Sequence, residues 1–117
     1  MEFLLLISEP RGQRATRTLA EGQDAYAQMQ AYAATLQAEG VLRGVNALSG
    51  DEHGVRVQVR QGRARLLDGP FAETKEMVGG YFLVDCASRD QAVALAQRCP
   101  AAGWATVEVR AVGPCFL

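Results

Sequence analysis

Lysine is almost missing from this chain: Lys75 stands alone against eleven arginines, and His53 is the sole histidine. With one imidazole available, a histidine-rich metal cage and a conventional Cys–His dyad are both poorly served. No excess of either charge exists, since thirteen acids and twelve bases leave a formal net charge of −1. Such a chain has no general field for holding a phosphate backbone or an anionic membrane, so neither nucleic acid nor membrane is expected as a partner. Long apolar runs are missing too. The stretch from Phe3 to Ile7 falls far short of the ~20 residues a bilayer span needs, and of a signal-peptide core. The protein is therefore read as soluble and cytoplasmic. Cysteine is scarce and odd in number: Cys86, Cys99 and Cys115 show no CxxC spacing, so neither a disulfide framework nor a zinc site is indicated. The thiols are expected to be reduced and to need no oxidation for folding. No GxGxxG or P-loop spacing occurs, and no cofactor is expected. What is present is ordinary globular composition, with 49% hydrophobic and 21% charged residues over 117 positions, enough for one domain spanning 1–117.

Phe3-Leu4-Leu5-Leu6-Ile7, closed by Ser8, Glu9 and Pro10, has the pattern of a central strand buried on both faces. Arg11 to Gln23 reads as a polar loop with room for one turn of helix. Asp24 then caps a helix whose stripe is Tyr26, Met29, Ala33 and Leu36, stopped by Gly40. Val41 to Leu48 is extended, and residues 49–54 form a polar turn. Val55, Val57 and Val59 alternate with Arg56, Gln58 and Arg60, which predicts a half-buried strand, turned back at Gln61-Gly62 into Arg63 to Leu67. Another strand runs from about Gly80 to Cys86. Ser88 and Gln91 predict a capping box for a second helix ended by Pro100, and Trp104 to Val112 gives the last strand.

Strand, helix, strand, inserted hairpin, strand, helix and strand make an α+β, ferredoxin-like split βαβ arrangement with an inserted hairpin. Both helices then cover one face of an antiparallel sheet. The valine rows suggest a second apolar face, and a second copy is the simplest cover, giving a homodimer built as a dimeric α+β barrel.

The most specific segment is Asp68-Gly69-Pro70-Phe71-Ala72-Glu73-Thr74-Lys75-Glu76, or DGPFAETKE. It resembles the DGPF signature of the YCII-related family. The likeness continues through Gly79-Gly80-Tyr81-Phe82-Leu83-Val84-Asp85, Arg98-Cys99-Pro100 and Val107-Glu108-Val109-Arg110, covering nearly the whole chain. The resemblance implies the dimeric ferredoxin-like barrel. For activity it implies two alternatives: an enzyme with a His and Asp pair facing a cleft, or a protein accompanying an extracytoplasmic-function sigma factor. This sequence departs from the pair, because the first helix has no histidine and the corresponding position falls near Met29.

Asp68 can cap a nearby amide in the turn or act as an acid or base, and Gly69 tolerates the backbone shape before Pro70. Asp68, Glu73 and Glu76 crowd beside Lys75, and crowded acids in a dry cleft can share a proton. Equally, Glu73, Glu76 and Lys75 can form a solvated, paired surface. Tyr81 offers a hydroxyl or packs as core, and Gly79 and Gly80 serve a packed strand end or an oxyanion-binding pair of amides. Arg11, Arg14 and Arg17 gate an anionic ligand or form a solvated loop. His53 is read as an exposed loop residue and the cysteines as small core hydrophobes. The candidate site is thus Asp68 as the reacting carboxylate, with Pro70, Phe71, Glu73, Lys75, Glu76 and Tyr81 around a small organic ligand and no metal. The rival reading is a noncatalytic regulatory protein in which the same segment braces a dimer or meets a sigma factor. Whether the protein is an enzyme stays open at this level.

Overall fold

The computed structural model describes residues 1–116. The elements follow in the order β1 (Glu2–Pro10), α1 (Leu19–Ala38), β2 (Leu42–Ala47), β3 (Val55–Arg60), β4 (Arg63–Asp68), β5 (Glu76–Asp85), α2 (Arg89–Gln97) and β6 (Thr106–Ala111). Strands β2, β5, β1 and β6 lie side by side in that order, and every neighbouring pair is antiparallel. The two strand-helix-strand units interleave, with β5 inserted between β1 and β2. That is the ferredoxin-like α+β arrangement expected from the order of elements.

Strand β1 shows why its apolar run is continuous. Phe3, Leu5, Ile7 and Glu9 are buried on the helix side, while Leu4, Leu6 and Ser8 are half-buried on the reverse, shielded by strands on both edges. The core joins Phe3, Leu5, Ile7, Phe82 and Val84 of the sheet to Tyr32 and Leu36 of α1 and to Ala92, Leu95 and Ala96 of α2. Tyr32 ties the two helices together. Its hydroxyl donates to the Leu95 carbonyl at 2.6 Å, and its ring meets Phe82 edge-on with centroids 5.1 Å apart. Burial removes this phenol from water and pushes its pKa well up, so it stays protonated.

Helix α1 starts at Leu19 rather than at Asp24. Thr18 and Glu21 form the capping box: the Thr18 hydroxyl accepts the Glu21 amide at 3.1 Å, and the Glu21 carboxylate accepts the Thr18 amide at 2.9 Å. Gly22 is carried inside the helix because this cap and the packing of Met29, Tyr32 and Leu36 outweigh its weak helix propensity. Asp24 instead accepts the Gln28 side-chain amide one turn on. At α2, Ser88 caps Gln91 as expected, but Gln91 reaches back to the amide of Ala87.

The inserted hairpin differs most from its expectation. Strands β3 and β4 pair only with each other, and all their residues are exposed, so Val55, Val57 and Val59 are not half-buried in the single chain. The register nevertheless sorts the two faces. Val55, Val57 and Val59 share one side with Ala64, Leu66 and, at the end, Asp68, whereas Arg56, Gln58, Arg60, Arg63 and Arg65 share the other with Leu67. Alternation marks a two-faced ribbon; it does not say what the apolar face packs against. The row of β6 also differs: Val107 and Val109 sit opposite Ile7 and Leu5, on the helix side. The open face carries Leu4, Leu6, Tyr81 and Leu83 along its middle, with Asn46, Glu108 and Arg110 toward the margins.

Candidate functional site

Strand β4 delivers the chain to Asp68, after which the Gly69-Pro70 bond is cis. Here the backbone of a short turn, Asp51–His53, comes unusually close. The Gly69 amide donates to the Gly54 carbonyl at 2.8 Å, and the Gly54 amide donates to that of Asp51 at 2.9 Å. A methyl group built on Gly69 would lie 1.8 Å from the Asp51 carbonyl oxygen. Gly69 is therefore required for space, and not for the backbone shape anticipated before Pro70.

Arg11 closes this knot. Its guanidinium donates to both oxygens of the Asp51 carboxylate, and to the carbonyl and hydroxyl oxygens of Thr74, each at 2.7 Å. The Arg11 amide adds a bond to the Lys75 carbonyl at 2.9 Å. The Asp51 carboxylate also accepts the Phe71 amide, so Asp51 performs the capping anticipated for Asp68. Hydrogen bonding from Arg11 holds the Asp51 carboxyl below its ordinary value. Phe71 is buried, with the Arg56 guanidinium 3.8 Å above its ring, and Arg56 pairs with Glu73 at 2.7 Å.

The anticipated site residues are thus distributed among separate partners. Asp68 and Pro70 are exposed, and the Asp68 carboxylate makes no hydrogen bond or ion pair among the described residues. Glu73 belongs to Arg56, Glu76 accepts the Ser8 hydroxyl at 2.7 Å, and exposed Lys75 forms no ion pair among the described residues. The Tyr81 hydroxyl accepts the Asn46 side-chain amide at 2.8 Å. His53 is exposed beside Glu52, and no metal-holding group of His, Cys, Asp and Glu occurs among the described residues. Cys99 is buried, and that burial pushes its thiol pKa up; Cys86 is half-buried, and Cys115 is exposed, outside the core role anticipated for it.

A concavity lies elsewhere, between α1 and the neighbouring ends of β1, β2 and β5. It is a cleft of about 1000 Å³, walled by Tyr26, Met29, Phe82 and Trp104 and floored by Glu9 and Arg14. Of the anticipated site residues only Tyr81 borders it, as part of strand β5, while its side chain belongs to the open face with Asn46. Met29, near the position that would carry the helix histidine, lines the cleft as well, with its sulfur 3.9 Å from that of buried Cys99.

Glu9 is the residue that the sequence reading passed over. It continues the inward parity of Phe3, Leu5 and Ile7, and a carboxylate on a buried row needs a partner. Arg14 supplies one: its Nε and Nη2 donate to the two Glu9 oxygens at 2.9 and 2.7 Å, and Nη2 also reaches the Leu48 carbonyl at 2.9 Å. The Glu9 contact raises the Arg14 pKa. A methyl group on Gly79 would lie 1.8 Å from Glu9 Oε1, so this glycine makes the space that the carboxylate fills. Gly80 admits the Asn46 carbonyl in a similar way, which supports the packed-strand reading of the glycine pair. Arg11 and Arg14 accordingly form clamps, where a solvated loop or a ligand gate was anticipated. Arg17 alone of the three lies over an aromatic ring, with its guanidinium carbon 5.3 Å from the Trp104 centroid. The Gln13 side-chain amide donates to the Trp104 carbonyl at 2.6 Å, while its buried oxygen has no partner among the described residues.

These ion pairs set the response to acid. Asp51, Glu73, Glu39 and Asp85 all have depressed pKa values, through Arg11, its own amide with Arg56, Arg98 and the chain's amino group, respectively. A depressed carboxyl binds fewer protons in the folded state than in the unfolded one. Its stabilisation is therefore complete above the ordinary values of 3.8 and 4.5 and is lost as pH falls through the lower folded values. Unfolding midpoints in denaturant are expected to be level between about pH 6 and about pH 8 and to decline below about pH 4. A midpoint that rises on acidification would contradict these pairings.

The sequence profile described as YCII-related domain matches residues 1–115. The chain is also similar to an uncharacterized protein of Rhizobium meliloti (strain 1021), with 53% identity over 36 residues, covering 31% of this chain and 29% of that protein. The match thus spans less than a third of the relative's length.

Proposed function

The chain belongs to the YCII-related domain family, and from that premise we propose that it binds a small organic molecule in the cleft between α1 and the sheet. The observation that carries this reading is the cleft itself: about 1000 Å³, with largely apolar walls and a fixed ion pair at its floor. In this reading the DGPF segment is a brace, tying the hairpin to the loop beside the cleft through Arg11 and Asp51. The protein acts as a cytoplasmic homodimer, a reading supported by the uncovered apolar side of the hairpin and the leucines on the open face of the sheet. A second reading keeps acid-base chemistry at Asp68, and the feature favouring it is that this exposed carboxylate has no partner among the described residues.

Ligand-observed NMR with a mixed library of small acids, amines and neutral amides, followed by amide mapping, separates the two. Binders are expected to perturb Gly79, Gly80 and the Trp104 indole, and Asp68→Asn is expected to leave those shifts intact. Perturbations confined to the base of the hairpin and abolished by Asp68→Asn would replace the cleft with Asp68; a library without a single binder at the cleft would overturn the proposal.

A further inference from the structure

We infer that the cleft selects a small organic anion with an apolar body, held by Arg17 against Trp104. This rests on the proposed use of the cleft and adds the chemical class of its occupant. The charges lining the cleft leave one positive group unbalanced. Among the cleft residues the only carboxylate is that of Glu9, and the positive groups are Arg14 and Arg17. Glu9 is buried to 7% exposure with both oxygens taken by Arg14, so these two charges cancel at the floor. Arg17 forms no ion pair among the described residues, and its charge is left over. Glu21, one turn further along, is the acid close enough to feel that charge. Its carboxylate is turned back onto the Thr18 amide and is not part of the cleft wall.

The cation-π contact with Trp104 uses the face of the Arg17 guanidinium and none of its N–H groups, and a planar fork of donors suits a carboxylate or a phosphate oxygen pair. Tyr26, Met29, Ala33 and Phe82 offer apolar and aromatic surface to the body of the ligand, beside uncharged polar side chains such as Gln23, Gln30 and Ser49. A cation would meet uncompensated positive charge there. A polyanion would exceed the single unpaired charge, and the uncharged polar side chains lining the cleft carry nothing to balance the excess. One negative group on an apolar skeleton is what this lining accommodates.

The test uses phenylacetate, phenylacetamide and phenethylamine, which share a ring and differ in charge, titrated into the full chain at low salt and followed by Trp104 fluorescence and amide shifts. Phenylacetate is expected to bind at least ~10-fold more tightly than phenylacetamide, the scale of one charge-assisted contact, with phenethylamine weakest. Arg17→Gln is expected to erase that preference while leaving phenylacetamide unchanged, and Arg17→Lys to restore part of it. Raised salt should narrow the preference in the parent protein, a readout that needs no variant. Equal binding of the three probes in the cleft would overturn the anion assignment and leave the cleft as a ligand site. No perturbation of Trp104 or Gly79 by any of them would overturn both.

Discussion

Gly69→Ala is expected to destabilise the protein by about 3 kcal/mol, the upper range for forcing a methyl group into filled space. The added carbon would sit 1.8 Å from the Asp51 carbonyl oxygen and 2.8 Å from its carbonyl carbon. Both are backbone atoms, and they cannot swing aside as a side-chain tip can. Relief requires the 51–54 turn to withdraw, which breaks the Gly69 to Gly54 and Gly54 to Asp51 bonds and pulls Asp51 away from Arg11. Urea unfolding of the variant measures the cost directly. A midpoint matching the parent, within about 0.5 kcal/mol, would mean that the close approach does not constrain this residue. In the predicted outcome, the most specific part of the sequence is specific because two loops touch there.

Gly79→Ala is the second large effect, expected at about 2 kcal/mol. The new methyl group would occupy the position of Glu9 Oε1 and would approach Arg14 Nη2 at 3.1 Å. The carboxylate must then leave its pocket, and a buried charge is separated from its partner. The figure lies below that of a fully buried pair because the Arg14 side chain is 41% exposed and water can take over part of its solvation. A double-mutant cycle isolates the cause. In a Glu9→Ala background the same Gly79→Ala change is expected to cost less than about 0.5 kcal/mol, since the obstacle is gone. An undiminished penalty there would point to strand β5 itself and away from Glu9.

Much of the architecture was legible from the sequence because the governing signals are local. Strand β1 announces itself by its run from Phe3 to Ile7, α2 by Ser88 and Pro100, and the hairpin by Gln61-Gly62, both of which have positive φ, 53° and 75°. The sequence reading starts α1 too late, at Asp24, although Thr18 with Glu21 offers an equally local and stronger capping signal. The site was less legible for a different reason. Acids close in sequence, Asp68, Glu73 and Glu76, suggested a cluster, yet the chain disperses them to solvent, Arg56 and Ser8. The carboxylate that is buried, Glu9, meets Arg14 only because a bend follows β1, and it fits only because Gly79 stands on the adjacent strand. Such pairings depend on strand register, which composition and spacing do not encode.

The strand order also has a consequence for synthesis. Ribosomes release a chain from its N-terminal side, so β1, the middle of the sheet, emerges before either strand that flanks it. Its partners are β5, where Phe3 meets Val84, and β6, where Phe3 meets Ala111. One hydrogen-bonding edge of the most apolar strand therefore stays open until β5 has been made and the other until β6 has, a period in which such an edge is a template for other chains. Helix α1 can form meanwhile from its own capping box, giving Phe3, Leu5 and Ile7 a provisional apolar neighbour in Tyr32 and Leu36. The nascent protein thus keeps an open edge on its central strand until β6 has been made, and the sheet closes only then.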